Sequence, residues 1–244
     1  IEVGSFVSPK WVPQMSQTDQ VLAAIAPAPD VRFAVLVPNM RGWDAFIAAR
    51  APGVTYEIAV FISASEGFSQ SNLNCSIATS VERLIPVVAA ASAAGVGVRG
   101  YISCVTDCPF DGPTAPNQVA DTAALLRAVS PMPLSLGDTI GKGTPDTVSA
   151  MLEAVLKIAP AQDLAGHFHD TGGRALSNID AALAKGLRAF DSAVGGLGGC
   201  PYAPGAPGNV ATEAVLAHLT DQGYQTGVDQ AVIAQAAALA RKIR

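Results

Sequence analysis

Short apolar and β-branched runs alternate along this chain with longer Ala-rich stretches of helical period, and the alternation recurs about every 25 to 40 residues. The runs predict seven strands: Ile1 to Phe6, Arg32 to Val37, Thr55 to Ile62, Val96 to Ser103, Pro133 to Leu136, Asp163 to Phe168 and Leu187 to Ser192. Helices are expected around Ser16 to Ala26, Gly42 to Ala49, Ser76 to Ala94, Pro116 to Val129, Thr144 to Ile158, Gly173 to Lys185 and Asn209 to Gln222, with a last one from about Asp229. Some starts are legible in the sequence. Thr144-Pro145-Asp146 places a capping hydroxyl before a proline at the first helical position, and Ser76 precedes an apolar-periodic run.

Strands that alternate with helices imply a parallel sheet, because parallel neighbours need a crossover long enough to hold a helix. Such a sheet is either open and doubly wound or closed as a (β/α)8 barrel. Polar residues at nearly every strand end favour the barrel: Ser5, Asn39, Ser63 with Glu66, Ser103 with Cys104, Asp138, His167 with His169, and Asp191 with Ser192. No G-x-G-x-x-G follows the first strand, and Gly141-Lys142 lacks the Ser or Thr of a P-loop. The expected fold is therefore an α/β (β/α)8 TIM barrel, here seven of eight βα units plus a C-terminal helix, in one catalytic domain over residues 1–244. The first residues, Ile-Glu-Val-Gly, lack a methionine and already read as strand, so an upstream segment is expected and the domain reads as incomplete at its amino end.

Half the residues are hydrophobic and 14% are charged, which excludes a disordered chain and leaves enough apolar surface for a large core. Twenty acidic against 15 basic residues, with no basic stripe, speak against a nucleic-acid partner. A mean hydropathy of +0.33 raises the question of a membrane. The most apolar stretch, Leu84 to Val98, contains Pro86 and is too short to span a bilayer, which needs about 20 apolar residues; it reads as a buried helix running into a strand. Cys75, Cys104, Cys108 and Cys200 are too scattered for a disulfide framework and read as reduced thiols of a cytoplasmic protein. The spacing of Cys104 and Cys108 matches no zinc or redox motif, so both read as packing residues.

His167 and His169 flank Phe168 at a strand end, and residues two apart on a strand share a face. The pair is half a metal site or two hydrogen-bonded histidines. Asp170 adds an orienting carboxylate or a cap for the next helix. Asp138 is a strand-end carboxylate that could equally close a turn. From Gly195 to Asn209 six glycines and three prolines surround Cys200, the composition of a lid carrying an accessible thiol. Asn209, before Glu213, reads locally as a helix N-cap.

The blocks Ser-Phe-Val-Ser-Pro-Lys-Trp-Val-Pro-Gln-Met at 5–15, Asn-Leu-Asn-Cys-Ser at 72–76, Ser-Leu-Gly-Asp-Thr-Ile-Gly at 135–141, His-Phe-His-Asp-Thr at 167–171 and Gly-Leu-Gly-Gly-Cys-Pro-Tyr-Ala at 196–203, with Gly208-Asn209, resemble the 3-hydroxy-3-methylglutaryl-coenzyme A lyase family of the DRE-TIM metallolyases. The resemblance covers the whole chain. It implies metal-assisted retro-Claisen cleavage of 3-hydroxy-3-methylglutaryl-CoA to acetyl-CoA and acetoacetate, as in leucine degradation and ketone-body formation. It also implies a divalent cation, Mg or Mn, held by His167, His169 and Asn209. Cys200 matches the family's catalytic-loop cysteine, Asp138 and Glu2 its active-site carboxylates, and Ser5, Asn72, Ser135 and Thr139 its substrate-lining positions. His167 or Asp138 is the expected base. The implied partner is a small-molecule acyl-CoA; a homodimer is left open, and no nucleic acid or membrane is expected.

In the family the first strand carries an Arg-Asp pair, whose aspartate is a further metal ligand and whose arginine neutralises the enolate. This chain reads as starting at the second strand, so residues 1–244 alone are expected to show negligible lyase activity. Two alternatives remain open at this point: a related metal-dependent aldolase or acyl-CoA condensing enzyme, and an inactive truncated barrel. Lys10, Arg99, Lys142 and Arg174 form no cluster in sequence that would mark a CoA phosphate site.

Overall fold

The computed structural model describes residues 1–198 and 208–243. Seven parallel strands form one sheet in chain order: β1 (Glu2–Ser5), β2 (Phe33–Leu36), β3 (Tyr56–Ser63), β4 (Gly97–Ser103), then β7 (Leu134–Asp138), β8 (Leu164–Phe168) and β9 (Ala189–Asp191). Each adjoining pair is parallel. A small antiparallel hairpin, β5 (Asp107–Cys108) with β6 (Gly112–Pro113), interrupts the series after β4. Helices α1 (Thr18–Ala24), α2 (Met40–Ala49), α4 (Ile77–Ala93), α5 (Pro116–Val129), α6 (Pro145–Val155) and α7 (Ala175–Ala184) supply the crossovers. Helices α8 (Thr212–Asp221) and α9 (Gln230–Ile243) follow the last strand.

The seven expected strands are all present, within two residues at most ends. Helix starts follow their caps: Thr79 N–H donates to Ser76 Oγ at 3.2 Å, and Thr144 caps α6 ahead of Pro145. Helix α3 (Glu66–Leu73) was not predicted, because it buries only Phe68 and Ser69 and so shows no apolar stripe. Ser65 starts it, its hydroxyl accepting from Phe68 N–H at 3.2 Å. Leu84 to Val98 is the second half of α4 and the start of β4, as expected. Among the described residues no single helix is long and apolar enough to cross a membrane.

The sheet is strongly curled. Strand β4 lies three spacings from β1 and three from β9, about 14 Å each way in a flat sheet. Yet Tyr101 of β4 bonds Glu2 of β1 at 2.9 Å, and Arg99 of β4 bonds Asp191 of β9 at 2.7 Å. Only a concave sheet lets one central strand reach both edges, which is the architecture of the (β/α)8 TIM barrel. The outward face, with Val35, Ile58, Val60, Ile102, Leu134, Leu136 and Phe168 at 0–2% exposure, meets the helices and forms the main core. The inward face runs in register from Phe61 to Tyr101 to Ser135 to Ala165 to Ala189, and one layer higher from Gly137 to His167 to Asp191. The polar side chains near the strand ends collect mostly inside the curl, while the outward face is mostly apolar.

Candidate active site

Strand β8 and the residue after it project His167 and His169 inward, as their two-residue spacing requires. Their Nε2 atoms lie 3.4 Å apart and the rings meet at 44° with centroids 5.3 Å apart. Burial, then the neighbouring His167, lowers the His169 pKa to about 4, which keeps this imidazole neutral at physiological pH. The His169 Nδ1 atom is buried without a hydrogen bond of good geometry.

Behind His167 stands Asp191, whose Oδ2 lies 3.1 Å from His167 Nδ1. Ser135 Oγ donates to the same oxygen at 2.6 Å, and Arg99 pairs with Oδ1 at 2.7 Å. Burial alone would raise the Asp191 pKa, but His167, Arg99 and Ser135 hold it at about 2. Arg99 is held protonated in turn: burial pulls its pKa down, but the charge and hydrogen bond of Asp191, with Tyr101 and Glu57, together raise it above the usual value. The guanidinium also lies over the Tyr101 ring at 5.1 Å, and that ring meets His167 edge-on at 6.0 Å. Tyr101 O–H donates to Glu2. Glu2 is exposed to solvent, but its carboxyl lies within the concavity, where desolvation, with some help from the Asp191 charge, raises its pKa.

Glu2, Asn72, Tyr101, Ser103, Thr139, His167 and His169 line one open cavity of about 400 Å³. Of the residues expected from sequence, Glu2, Asn72, Thr139 and both histidines therefore share one space. Asn209 comes beside them through a bridge between the backbones of His169 and Asn209. It is not the cap of α8, which starts at Thr212 after Ala211. Asn209 Nδ2 donates to Leu197 O at 3.1 Å, and a Cβ on Gly198 would lie 2.7 Å from that nitrogen. Gly198→Ala is accordingly expected to displace the amide and weaken Mn(II) binding about tenfold, read by titration; unchanged affinity would remove Asn209 from the site.

Three of the expected site residues do not line this cavity. Asp138 does not face the cavity: Gly137 and Thr139 line it, while Asp138 between them is wholly buried on the other face. There it accepts from Thr106 Oγ1 at 2.7 Å and Gly143 N–H at 2.9 Å, on the face turned away from the histidines. Ser135 is fully buried beneath the cavity and spends its hydroxyl on Asp191. Ser5 lines a neighbouring cleft of about 610 Å³ with Asn39 and Arg41, its buried Oγ making no hydrogen bond. Asp170 is settled as a cap: its Oδ1 accepts from Ala175 N–H at 3.0 Å at the start of α7.

Cys200 lies outside the described residues. Cys75, Cys104 and Cys108 are free and buried, and Cys104 and Cys108 pack with Phe68, in keeping with a packing role. Burial pushes the Cys104 thiol up to about 12, so it is inert. Sequence reasoning gave Arg99 and Asp191 no role and passed over Tyr101; the signal was the period-two polar run Arg99, Tyr101, Ser103 on one face of β4.

The donor set suits a divalent cation. Two imidazoles place their Nε2 atoms 3.4 Å apart, a carboxylate backs one ring, and the backbone of Asn209 bridges to the residue that carries the other. No group of three or more His, Cys, Asp or Glu forms such a site among the described residues, so a third donor would have to be of another kind.

A curled parallel barrel sheet with this set of groups inside its rim defines a metal-dependent enzyme of the TIM-barrel class. Sequence comparison is more specific: the chain belongs to the HMGL-like family, whose profile matches residues 1–240. Hydroxymethylglutaryl-CoA lyase of Pseudomonas mevalonii is 52% identical over 235 residues, covering 96% of this chain and 77% of that protein. The crystal structure of HMG-CoA lyase from Brucella melitensis superposes with a TM-score of 0.95 at 56% identity, covering 100% of this chain and 85% of the other. An HMG-CoA lyase solved in complex with coenzyme A and 3-methylmalate, from Acinetobacter baumannii, is 32% identical with a TM-score of 0.89, covering 97% of this chain and 76% of the other.

Proposed function

We propose that the protein cleaves 3-hydroxy-3-methylglutaryl-CoA to acetyl-CoA and acetoacetate. The observation that carries this reading is the His167–His169 pair with Asn209 at the mouth of the curled sheet, in a chain so close to known lyases. His167, His169 and Asn209 would hold the cation, and Mg or Mn suits imidazole and oxygen donors without thiolate. When bound, the cation supplies Lewis-acid polarisation of the substrate's hydroxyl and carboxylate oxygens.

In this cleavage the C3 hydroxyl loses a proton, the C2–C3 bond breaks to leave the ketone of acetoacetate, and the electron pair becomes the enolate of acetyl-CoA, which then takes up a proton. Glu2 is the one carboxylate lining the described cavity, and its raised pKa suits it to accept the hydroxyl proton. Tyr101 holds that carboxylate through its O–H. Asn72 and Thr139 border the same space as polar contacts for substrate. Cys200 is proposed as donor to the enolate, on the family resemblance of its loop. Val7 borders this cavity and both neighbouring clefts, which carry Arg41 and Arg83, so a long acyl-CoA has a path outward past two cations.

Acetoacetate release from 3-hydroxy-3-methylglutaryl-CoA by the complete protein with Mg or Mn tests the reading. Release that falls at least a hundredfold in Cys200→Ser is expected of a lyase that uses this thiol. Cleavage that ignores the loss of the thiol points instead to the related aldolases and condensing enzymes.

A further inference from the structure

The polar network inside the sheet ends on a ring nitrogen of His167 that the proposed ligation leaves unused. Asp191 meets that nitrogen from strand β9 with a fully committed carboxylate: Oδ1 takes Arg99 at 2.7 Å, while Oδ2 takes the Ser135 hydroxyl at 2.6 Å and faces His167 Nδ1 at 3.1 Å. A carboxylate paired with a guanidinium is ionised and can only accept, so Nδ1 must be the donor. In the neutral ring, the form that can ligate, this assigns the Nδ1–H tautomer and leaves the Nε2 lone pair of His167 bare, 3.4 Å from His169 Nε2. The ring is also held from the side by Tyr101, edge-on at 6.0 Å, which is itself covered by Arg99. Arg99, Ser135 and Tyr101 thus fix Asp191 or the ring, and only Asp191 sets which nitrogen is bare.

We propose that Asp191 is the positioning residue of the site: anchored by Arg99 and Ser135, it sets the tautomer and plane of His167 so that Nε2 is presented as a donor atom. The proposal rests on His167 being a cation ligand, as set out above. It adds a residue outside the proposed donor set, from a different strand.

The test uses the complete protein as wild type, Asp191→Asn and the double variant Arg99→Gln/Asp191→Asn, each checked for folding by circular dichroism. Nitrogen-15 NMR of the imidazoles, with His167 assigned by single histidine substitutions, reads the tautomer directly. In the metal-free wild type His167 should carry its proton on Nδ1. In Asp191→Asn the proton should move to Nε2 or become mixed, and Mn(II) affinity by electron paramagnetic resonance should fall about 10–100-fold. The double variant removes the unpaired buried cation yet should stay equally weak. Wild-type affinity in the double variant would mean that Asp191 serves only as the counter-ion of Arg99, and would overturn the proposal, as would an Nδ1–H tautomer unchanged in Asp191→Asn. A wild type that binds no Mn(II) would refute the ligand reading of His167 instead, and the NMR comparison would still decide whether Asp191 sets the tautomer.

Discussion

Alanine in place of His167 or His169 is expected to abolish stoichiometric Mn(II) binding by the protein and to lower acetoacetate release by about a thousandfold or more. The size follows from what each ring supplies. A bound cation contributes several kcal/mol of charge stabilisation, and each 1.4 kcal/mol is a factor of ten in rate. Removing either imidazole leaves a single strand-derived nitrogen beside the Asn209 amide, too few neutral donors to hold a hydrated divalent ion among the described residues. Neither ring is a main core element: the His167 side chain is 27% exposed, and both rings face the cavity. The variants should therefore fold, and equilibrium dialysis with Mn(II) separates lost ligation from lost structure. Full occupancy retained in both variants would sink the assignment.

The order of elements was legible because each strand buries its outward face against helices, and that burial writes apolar runs such as Ile58, Val60 and Ile62 into the chain. Helix α3 and the β5–β6 hairpin were not, since the first buries so little and the second is held by two residue pairs next to a loop. At the site, His167 and His169 announced themselves through spacing on one strand. Asn209 misled local reasoning, because asparagine ahead of a helix is usually its cap; only the bridge to His169 shows its position. The period-two run Arg99, Tyr101, Ser103 marks a polar face of β4, but which residues that face meets could not be read from the sequence pattern. Arg99 meets Asp191 across 92 residues, and Tyr101 meets Glu2 across 99, contacts created by the curl of the sheet rather than by any local signal.

Asp138 shows the same limit from the other side, and a substitution there should behave unlike one at the histidines. Its motif resembles an active-site block, yet its carboxylate points outward, where Thr106 and Gly143 N–H both donate to it. The group is buried and its pKa is raised, because desolvation outweighs those hydrogen bonds. Its work is to tie the loop after β4 to the loop after β7, next to Ser103 at the end of β4 and Thr139, which line the cavity. Asp138→Ala leaves the Gly143 N–H and the Thr106 hydroxyl without this partner in a buried setting, at about 1–3 kcal/mol for each group left unmade. Part of that is returned by removing a desolvated carboxyl, so the net loss should be about 2–4 kcal/mol, or a fall in Tm of roughly 4–16 °C. Mn(II) affinity should stay within about twofold of wild type, because neither imidazole nor Asp191 touches this residue. Activity should fall with the loosened loops and recover in part on cooling. A variant with wild-type Tm and a lowered kcat whose pH profile had lost one limb would instead restore Asp138 as a proton-transfer group and overturn its placement as a structural tie.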